Sequence, residues 1–582
     1  MEMSKVEDVE SGEELELRWS SVRFCVPPGK VILDDVSGFA RSSRVVVIMG
    51  PSGCGKTTLL DVLAKRVDGT KKGRSLTGTV LVNGSSKGPR RAYVQQEDAL
   101  VGVLTVRETL YVAGKFANAP KTRAEELIVE FGLVSCADTI VGTIFQKGIS
   151  GGQKRRLSIA VELISRPRVV LLDEPTSGLD SASALAVMDN LHKIAHATGE
   201  CKNCPKVAIA ATLHQPSNAV YSLIDEVCFL AKGKVVYFGD PQEKLLTFFE
   251  SQGHPVPTYG NIADFVLSLT NTDFPGHADV DMLTKAFTFE MAPLKEQEED
   301  IVDAITDVGT RAHRFSRFLT LCGRGSKEIM RDVGIIGVRL GMYTMLSILI
   351  TLMFLNLGND KKDQDVNARV SILFYVAAFF VFMSVAVLPF FVMQRAVFIK
   401  ERCNGTYDVP EYVAAKFLTS LPGVFLIAMV SSIIIVFPTK LNGFPIYFLD
   451  LFVSLLVAES FMSFIGSAVP HFIIGIALGA GLFGFNMLCE GFFRVKSDIP
   501  DYLIWGYYQG FHTYTFRIFM KNEFQPINNF DGPQFRDGNQ VLRFYDMQGA
   551  SIRDDFLVLI AWIIFFQIAF ALVLHFYHTG RR

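Results

Sequence analysis

Gly50-Pro51-Ser52-Gly53-Cys54-Gly55-Lys56-Thr57 decides the fold of the first half of this 582-residue chain. It follows Val45-Val46-Val47-Ile48, an apolar run of buried-strand type. It precedes Thr58-Leu59-Leu60-Asp61-Val62-Leu63, which reads as a helix. A glycine-rich turn between strand and helix lets backbone N–H groups close around phosphate oxygens at the positive end of a helix dipole. The G-x-x-x-x-G-K-[ST] spacing adds Lys56 for the terminal phosphates and the Thr57 hydroxyl as a Mg2+ ligand. Residues Gly50 to Thr58 are therefore expected to hold a nucleoside triphosphate.

Two further segments complete a nucleotide site. Val169-Val170-Leu171-Leu172-Asp173-Glu174 reads as a buried strand ending in two acids. At the carboxyl edge of a sheet, Asp173 is placed to hold Mg2+ through water and Glu174 to polarise an attacking water. Gly148-Ile149-Ser150-Gly151-Gly152-Gln153 precedes the helix that opens Lys154-Arg155-Arg156-Leu157. A serine and two glycines at a helix start make a second anion site.

Together these segments resemble the nucleotide-binding domain of ABC transporters. The resemblance implies two such domains dimerising head to tail, each ATP lying between one phosphate loop and the other domain's Ser150, Gly151, Gly152 and Gln153. It also implies roles for single residues. Gln96, in Tyr93-Val94-Gln95-Gln96, matches the loop glutamine that senses Mg2+, although Gln95 fits one position away. Asp180 matches the loop coupling the two ATP sites, and His214 the switch histidine that contacts the terminal phosphate. Phe24 either stacks on adenine or is an ordinary strand residue.

Hydrophobic residues make up 49% of the chain and its mean hydropathy is +0.29, so part of it is expected in a membrane. Lys+Arg (57) and Asp+Glu (59) nearly cancel, which leaves no basic footprint for nucleic acid. Nine cysteines without framework spacing exclude a secreted disulfide scaffold, and the composition excludes a disordered chain or a collagen. No apolar run suited to a signal peptide occupies the first 30 residues, so the N-terminus is expected in the cytosol.

The domain reading is residues 1–272, nucleotide-binding domain; 273–316, charged linker; 317–334, amphipathic connecting helix; 335–582, membrane domain. Six spans of about 20 residues or more are read as Ile335–Leu355, Val370–Met393, Tyr412–Phe437, Ile446–Val469, Phe472–Phe493 and Phe556–Phe576. A long outer loop covers 494–555. A cytosolic N-terminus and an even number of spans put both termini in the cytosol, and Arg395, Lys400, Arg402 and Lys416, in and just beyond the loop between spans two and three, agree with it. The expected fold is thus an α/β nucleotide-binding domain, a P-loop ABC ATPase, followed by an all-α six-helix transmembrane domain.

A soluble domain ahead of six spans resembles the G subfamily, the white/brown-complex half-transporters. Leu213-His214-Gln215-Pro216-Ser217 supports this. So does Asn261-Ile262-Ala263-Asp264-Phe265, with Ile262 in place of a proline. Phe398-Ile399-Lys400-Glu401-Arg402, with Gly405 and Tyr407, resembles a cytosolic helix that passes motion from ATPase to membrane domain. Glu401 to Tyr407 and Gly491-Phe492-Phe493-Arg494 look closest to plant members exporting surface lipids. The resemblance implies ATP and Mg2+ as cofactors, an obligate dimer with an identical or a different half-transporter, a lipid bilayer, a hydrophobic small-molecule substrate and a multi-pass plasma-membrane location. It implies no nucleic-acid partner. Multidrug or pigment-precursor export, an ATP-gated channel or regulator, and a soluble nucleic-acid factor are the alternatives.

The resemblance also implies a substrate path at Phe382, Met487, Phe492 and Phe493. Phe382 equally suits a lipid-facing position, and the Phe492-Phe493 pair suits interfacial packing. Glu459, mid-span, is either functional or a structural hydrogen-bond partner. His192, His196, Cys201 and Cys204, spaced H-x3-H and C-x2-C, suit either zinc or unligated side chains.

Overall fold

The computed structural model describes residues 15–69, 73–85, 91–143, 146–196, 206–255, 260–272, 275, 277–287, 312–332, 336–359, 362–531 and 533–580. The chain forms two compact units. The first is Met1–Ser316 with Lys400–Thr406 and the residues from Gly580. The second is Arg317–Ile399 with Tyr407–Thr579.

The first unit is built on two sheets. β1 (Glu16–Val26), β2 (Lys30–Arg41) and β4 (Ser75–Val82) form an antiparallel sheet in the order β2-β1-β4. The larger sheet runs β5 (Arg91–Val94), β6 (Val169–Leu172), β7 (Ala208–Thr212), β3 (Arg44–Met49), β8 (Glu226–Ala231), β9 (Lys234–Gly239). Only β8 and β9 pair antiparallel; the other neighbours are parallel. Strands covered on both faces read as unbroken apolar runs. Val45 to Met49 and Val169 to Leu172 are accordingly fully buried. The parallel pairing puts the carboxyl ends of β5, β6, β7 and β3 on one edge, where ligands bind in open α/β sheets.

Within the expected linker, Val280–Ala286 is a helix capped by Asp279. Its Val280 and Leu283 are buried in the unit's core. Most of that stretch, 288–311, lies outside the described residues.

The second unit is helical. Among the described residues five segments are long and apolar enough to cross a membrane: Asp363–Cys403, Val409–Thr439, Phe444–Ala468, Phe472–Cys489 and Ile552–Tyr577. The expected first span is a shorter apolar helix, Val338–Met353, ending where Phe354 and Asn356 leave helical geometry. The second is not one regular helix. Asp363–Tyr375 passes into a π turn at Val376–Phe380 and a 3-10 turn at Met383–Val387 before Leu388–Cys403. The Tyr343 hydroxyl donates to the Phe380 carbonyl at 2.9 Å, satisfying one group in the irregular stretch. π turns of this kind cluster at functional sites.

The expected outer loop 494–555 is largely helical: Ile504–Gln509, Phe511–Phe524 and Gly538–Phe544. Phe511, Phe516, Ile518, Phe519, Met520 and Phe524 are buried, so apolar burial holds Phe511–Phe524 against the helices Phe444–Ala468 and Ile552–Tyr577. Arg369 and Glu523 form a buried ion pair there, and Glu523 also accepts from the Asn442 backbone at 2.6 Å.

The connecting helix is Arg314–Arg331. Its exposed face carries Phe315 and Leu319, whereas its buried face carries Arg317 and Arg324. Arg317 reaches Glu411 at 2.9 Å and Asp408 at 3.5 Å, which neutralises it.

Candidate nucleotide site and membrane aromatic cluster

The phosphate loop leaves β3 through Gly50, Gly53 and Gly55, all at positive φ (153°, 74° and 107°). At Gly50 a Cβ would stand 2.1 Å from the Leu230 carbonyl oxygen, so only glycine fits. Pro51 is half-buried, Ser52 and Gly53 are exposed, and Cys54 is buried. Burial pushes the Cys54 thiol up, and nearby Lys56 only partly offsets it. Lys56 is 7% exposed. Its Nζ donates to the Gly50 and Pro51 carbonyls at 2.7 and 2.9 Å, folding the ammonium over its own loop. Thr58 follows, half-buried, in the helix Lys56–Leu63.

The carboxyl ends of the neighbouring strands converge on this loop. The Thr57 hydroxyl lies 3.2 Å from Asp173 Oδ1. Thr212, at the end of β7, donates to the same oxygen at 2.7 Å and accepts from the Glu174 backbone N–H at 2.8 Å. Glu174 sits at φ 50°, a left-handed conformation costly for a glutamate and typical of functional sites. Gln96 Nε2 donates to Glu174 Oε2 at 2.8 Å. Between the two adjacent glutamines, then, it is the Gln96 side chain that meets Glu174. His214 is exposed two residues beyond β7. A flexible cation, a glycine turn, and a hydroxyl beside a carboxylate make a donor set that fits Mg2+-ATP.

Ser150 caps the helix Gly151–Leu163. Its Oγ accepts from the Gln153 N–H at 3.3 Å, and the Gln153 side chain accepts from the Ser150 N–H at 2.9 Å. Gln153 is thus spent on the cap, while Ser150 and Gly151 stay exposed. The Asp180 carboxyl is held below its ordinary range by hydrogen bonds from the Ser183 N–H (2.9 Å) and hydroxyl (2.7 Å). Phe24 does not join this group. It alternates inward on β1, is 6% exposed, and packs with Leu33, Val36 and Leu76 as a core residue, which leaves no face for a base.

Two residues escaped the sequence reading. Arg155 is 2% exposed. It donates to the backbone carbonyls of Gln95, Gln96, Asp173 and Glu174, and pairs with Asp98 at 3.0 Å. It ties the glutamine loop to the acidic strand end. Thr212 is the other. Its hydroxyl bridge required knowing that β7 lies beside β6.

The segment Lys400–Thr406 belongs to this unit. Lys400 is 2% exposed and donates to Ser158 on the helix Gly151–Leu163 at 2.8 Å, with Glu162 at 3.8 Å. Asn404 donates to the Tyr93 carbonyl at 3.1 Å and accepts from Arg66. Tyr93 leads to the glutamine loop, so this short piece touches structure leading to both Gln96 and Ser150.

In the second unit, Phe374 stacks on Phe492 (centroids 4.0 Å, 13°) and meets Phe493 edge-on at 5.1 Å; Phe516 backs the group. Phe492 is half-buried and Phe493 60% exposed. Phe382 follows the π turn and meets Phe379 and Phe483 at 6.3 and 6.4 Å. Met487 is half-buried on Phe472–Cys489. Phe374 and Phe379, absent from the sequence reading, thus extend the aromatic set along the irregular span. Glu459 pairs with Arg339 at 3.1 Å. His192 and His196 stack at 3.9 Å, with Asp225 at 3.3 Å from His196 Nε2. Cys201 and Cys204 lie outside the described residues.

Comparison with known proteins agrees with both halves. A family model described as ABC transporter matches residues 33–177, and one described as ABC-2 type transporter matches 316–524. The chain is 32% identical to ABC transporter G family member 1 of Petunia hybrida, over 95% of this chain and 90% of that protein. It is 35% identical to ABC transporter G family member 11 of Arabidopsis thaliana, over 88% of this chain and 78% of that one. For member 13 of Arabidopsis thaliana the figures are 32%, 84% and 79%. An ATPase unit followed by an apolar helical unit, with relatives matching both across most of their length, means that the chain belongs to the ABC transporter G family as a half-transporter that couples ATP hydrolysis to export across a membrane.

Proposed function

We propose that the protein exports lipid-like hydrophobic molecules as a dimer in the plasma membrane, with both termini cytosolic. The observation that carries the reading is the convergence of Lys56, Thr57, Asp173, Glu174 and Gln96 on one sheet edge, in a chain whose other unit carries the aromatic pair Phe492-Phe493, half-buried and exposed respectively. Bound Mg2+-ATP supplies the phosphoanhydride bond whose hydrolysis drives the cycle.

Lys56 exchanges its own-loop carbonyls for the terminal phosphate oxygens, so loop closure costs no unpaired ammonium. Thr57 and Asp173 would hold Mg2+, with Thr212 fixing the carboxylate from behind. Gln96, which donates to Glu174, would sit beside the metal, and Glu174 would take a proton from the attacking water. His214 contacts the terminal phosphate. Ser150, Gly151 and Gly152 serve the partner's ATP, and Asp180 couples the two sites. Asn404 and Lys400 carry closure into the membrane helices. Phe382 and Met487 then face an apolar substrate, and Phe492 with Phe493 seals its exit.

ATP-dependent uptake of lipid into inside-out vesicles, with lipidomics of the purified protein, tests this reading. Accumulation against a gradient supports export; ATP-gated leak down a gradient refutes it in favour of a channel.

A further inference from the structure

A cavity of about 70 Å³ lies inside the second unit, walled by the helices Val338–Met353, Val409–Thr439, Phe444–Ala468 and Ile552–Tyr577 and by the connecting helix. One chain completes it. By volume it takes about four waters or a small charged headgroup. Its two carboxylates are already matched. Glu459 pairs with Arg339 at 3.1 Å, and Glu328 sits 3.5 Å from Arg324.

Lys416 stands in the field of Glu328 and Glu459 but, among the described residues, makes no ion pair of its own. Its ammonium donates to the neutral Gln394 Oε1 and lies 5.7 Å from the Phe391 ring, with no carboxylate within 4 Å among the described residues. An ammonium has three donors, so two remain for the cavity. Arg339, 8% exposed, also lines it. Arg324, Arg339 and Lys416 thus set three cations against two carboxylates, and a surplus cation in low dielectric calls for an anion. Ile336, Phe390 and Phe417 supply an apolar wall beside them.

We propose that this cavity binds the oxyanion headgroup of an amphiphile. Lys416 Nζ donates to the headgroup, and the hydrocarbon chain follows the apolar wall. The site lies within one protomer and does not depend on which molecule is exported. A free long-chain carboxylate and an anionic phospholipid offer the same headgroup chemistry.

The full-length protein in phosphatidylcholine nanodiscs would be titrated with radiolabelled oleate, dioleoyl phosphatidate and methyl oleate. We expect saturable binding of at least one oxyanion near one per chain, and about tenfold weaker binding of the methyl ester. Lys416→Gln should lose a similar factor, while Lys416→Arg stays within about threefold. Oleate binding alone identifies a free carboxylate, phosphatidate alone a phospholipid, and mutual competition a site open to both; each supports the proposal. Absence of saturable binding, a methyl ester as tight as oleate, or undiminished binding by a folded Lys416→Gln protein would overturn it. If that variant does not fold, the ester comparison on the wild type decides alone.

Discussion

Arg155→Met tests how the catalytic edge is held. The guanidinium is 2% exposed and is shared by four backbone carbonyls and Asp98. Methionine fills much of the volume but donates nothing, leaving buried carbonyls unpaired and Asp98 without its cation. Hydrogen bonds to a charged group contribute about 1.5–3 kcal/mol each and are not additive; removing one partner of a buried pair costs about 3–5 kcal/mol. A loss of about 3–5 kcal/mol corresponds to a Tm lowered by roughly 6–20 °C. Turnover should fall further than stability alone explains, because Gln96 and Glu174 are positioned through the same side chain. Arg155→Lys keeps the charge, but one ammonium has fewer donors than the fork it replaces. It should regain part of the Tm and little of the rate. Thermal unfolding and ATPase titrations in detergent, at temperatures where each variant is folded, separate the two effects. A Tm within about 2 °C of wild type with unchanged kcat in Arg155→Met would refute the reasoning.

Glu174→Gln should retain nucleotide binding and lose about 10²–10⁴-fold in ATPase, whereas Lys56→Met should raise the Kd for ATP; equilibrium binding beside turnover tells them apart. Ser150→Arg should abolish ATPase by obstructing the partner's nucleotide, and a mixed dimer of Ser150→Arg and Lys56→Met chains should retain one composite site; a fully active monodisperse monomer contradicts this. Phe492→Ala with Phe493→Ala should leave ATPase level or higher while net transport falls, and Phe374→Ala, which removes the stacking partner, should do the same more weakly; an unchanged transport-to-ATPase ratio in vesicles excludes the exit role. Phe382→Ala should instead reduce substrate-stimulated ATPase.

Local chemistry was legible in the sequence. A phosphate loop is eight consecutive residues whose glycines answer to backbone geometry, so Gly50 to Thr57 needs no tertiary information. Arg155 is the opposite case. Its acceptors near Gln95 and Asp98 lie about 60 residues earlier in the chain, and nothing in Lys154-Arg155-Arg156 marks the middle residue as buried. Phe24 stayed open between two readings because an aromatic on a strand alternates inward as readily as outward. Hydropathy found the membrane half but not its irregularities: Val376–Phe380 is as apolar as any helix, so nothing in its hydropathy marks the π turn. Phe511–Phe524 passed for loop because its polar residues Lys521, Asn522 and Glu523 dilute a helix whose burial only the neighbouring helices reveal. Phe374 meets Phe492 across more than a hundred residues, a distance no periodicity bridges.

Lys400–Thr406 gives the ATPase unit a discontinuous architecture. During synthesis, residues up to Ser316 emerge without the piece that occupies Ser158 and the Tyr93 carbonyl. That piece follows about 80 residues later, a delay of roughly 4–16 s at ~5–20 residues per second. Through that interval the nascent unit carries an open notch in which Glu162 has not met Lys400 and Arg66 has not met Asn404. Truncation after Ser316 would make the notch permanent. Supplying 400–406 as a peptide in trans is then a test of whether the unit's last building block can be added after the rest has folded.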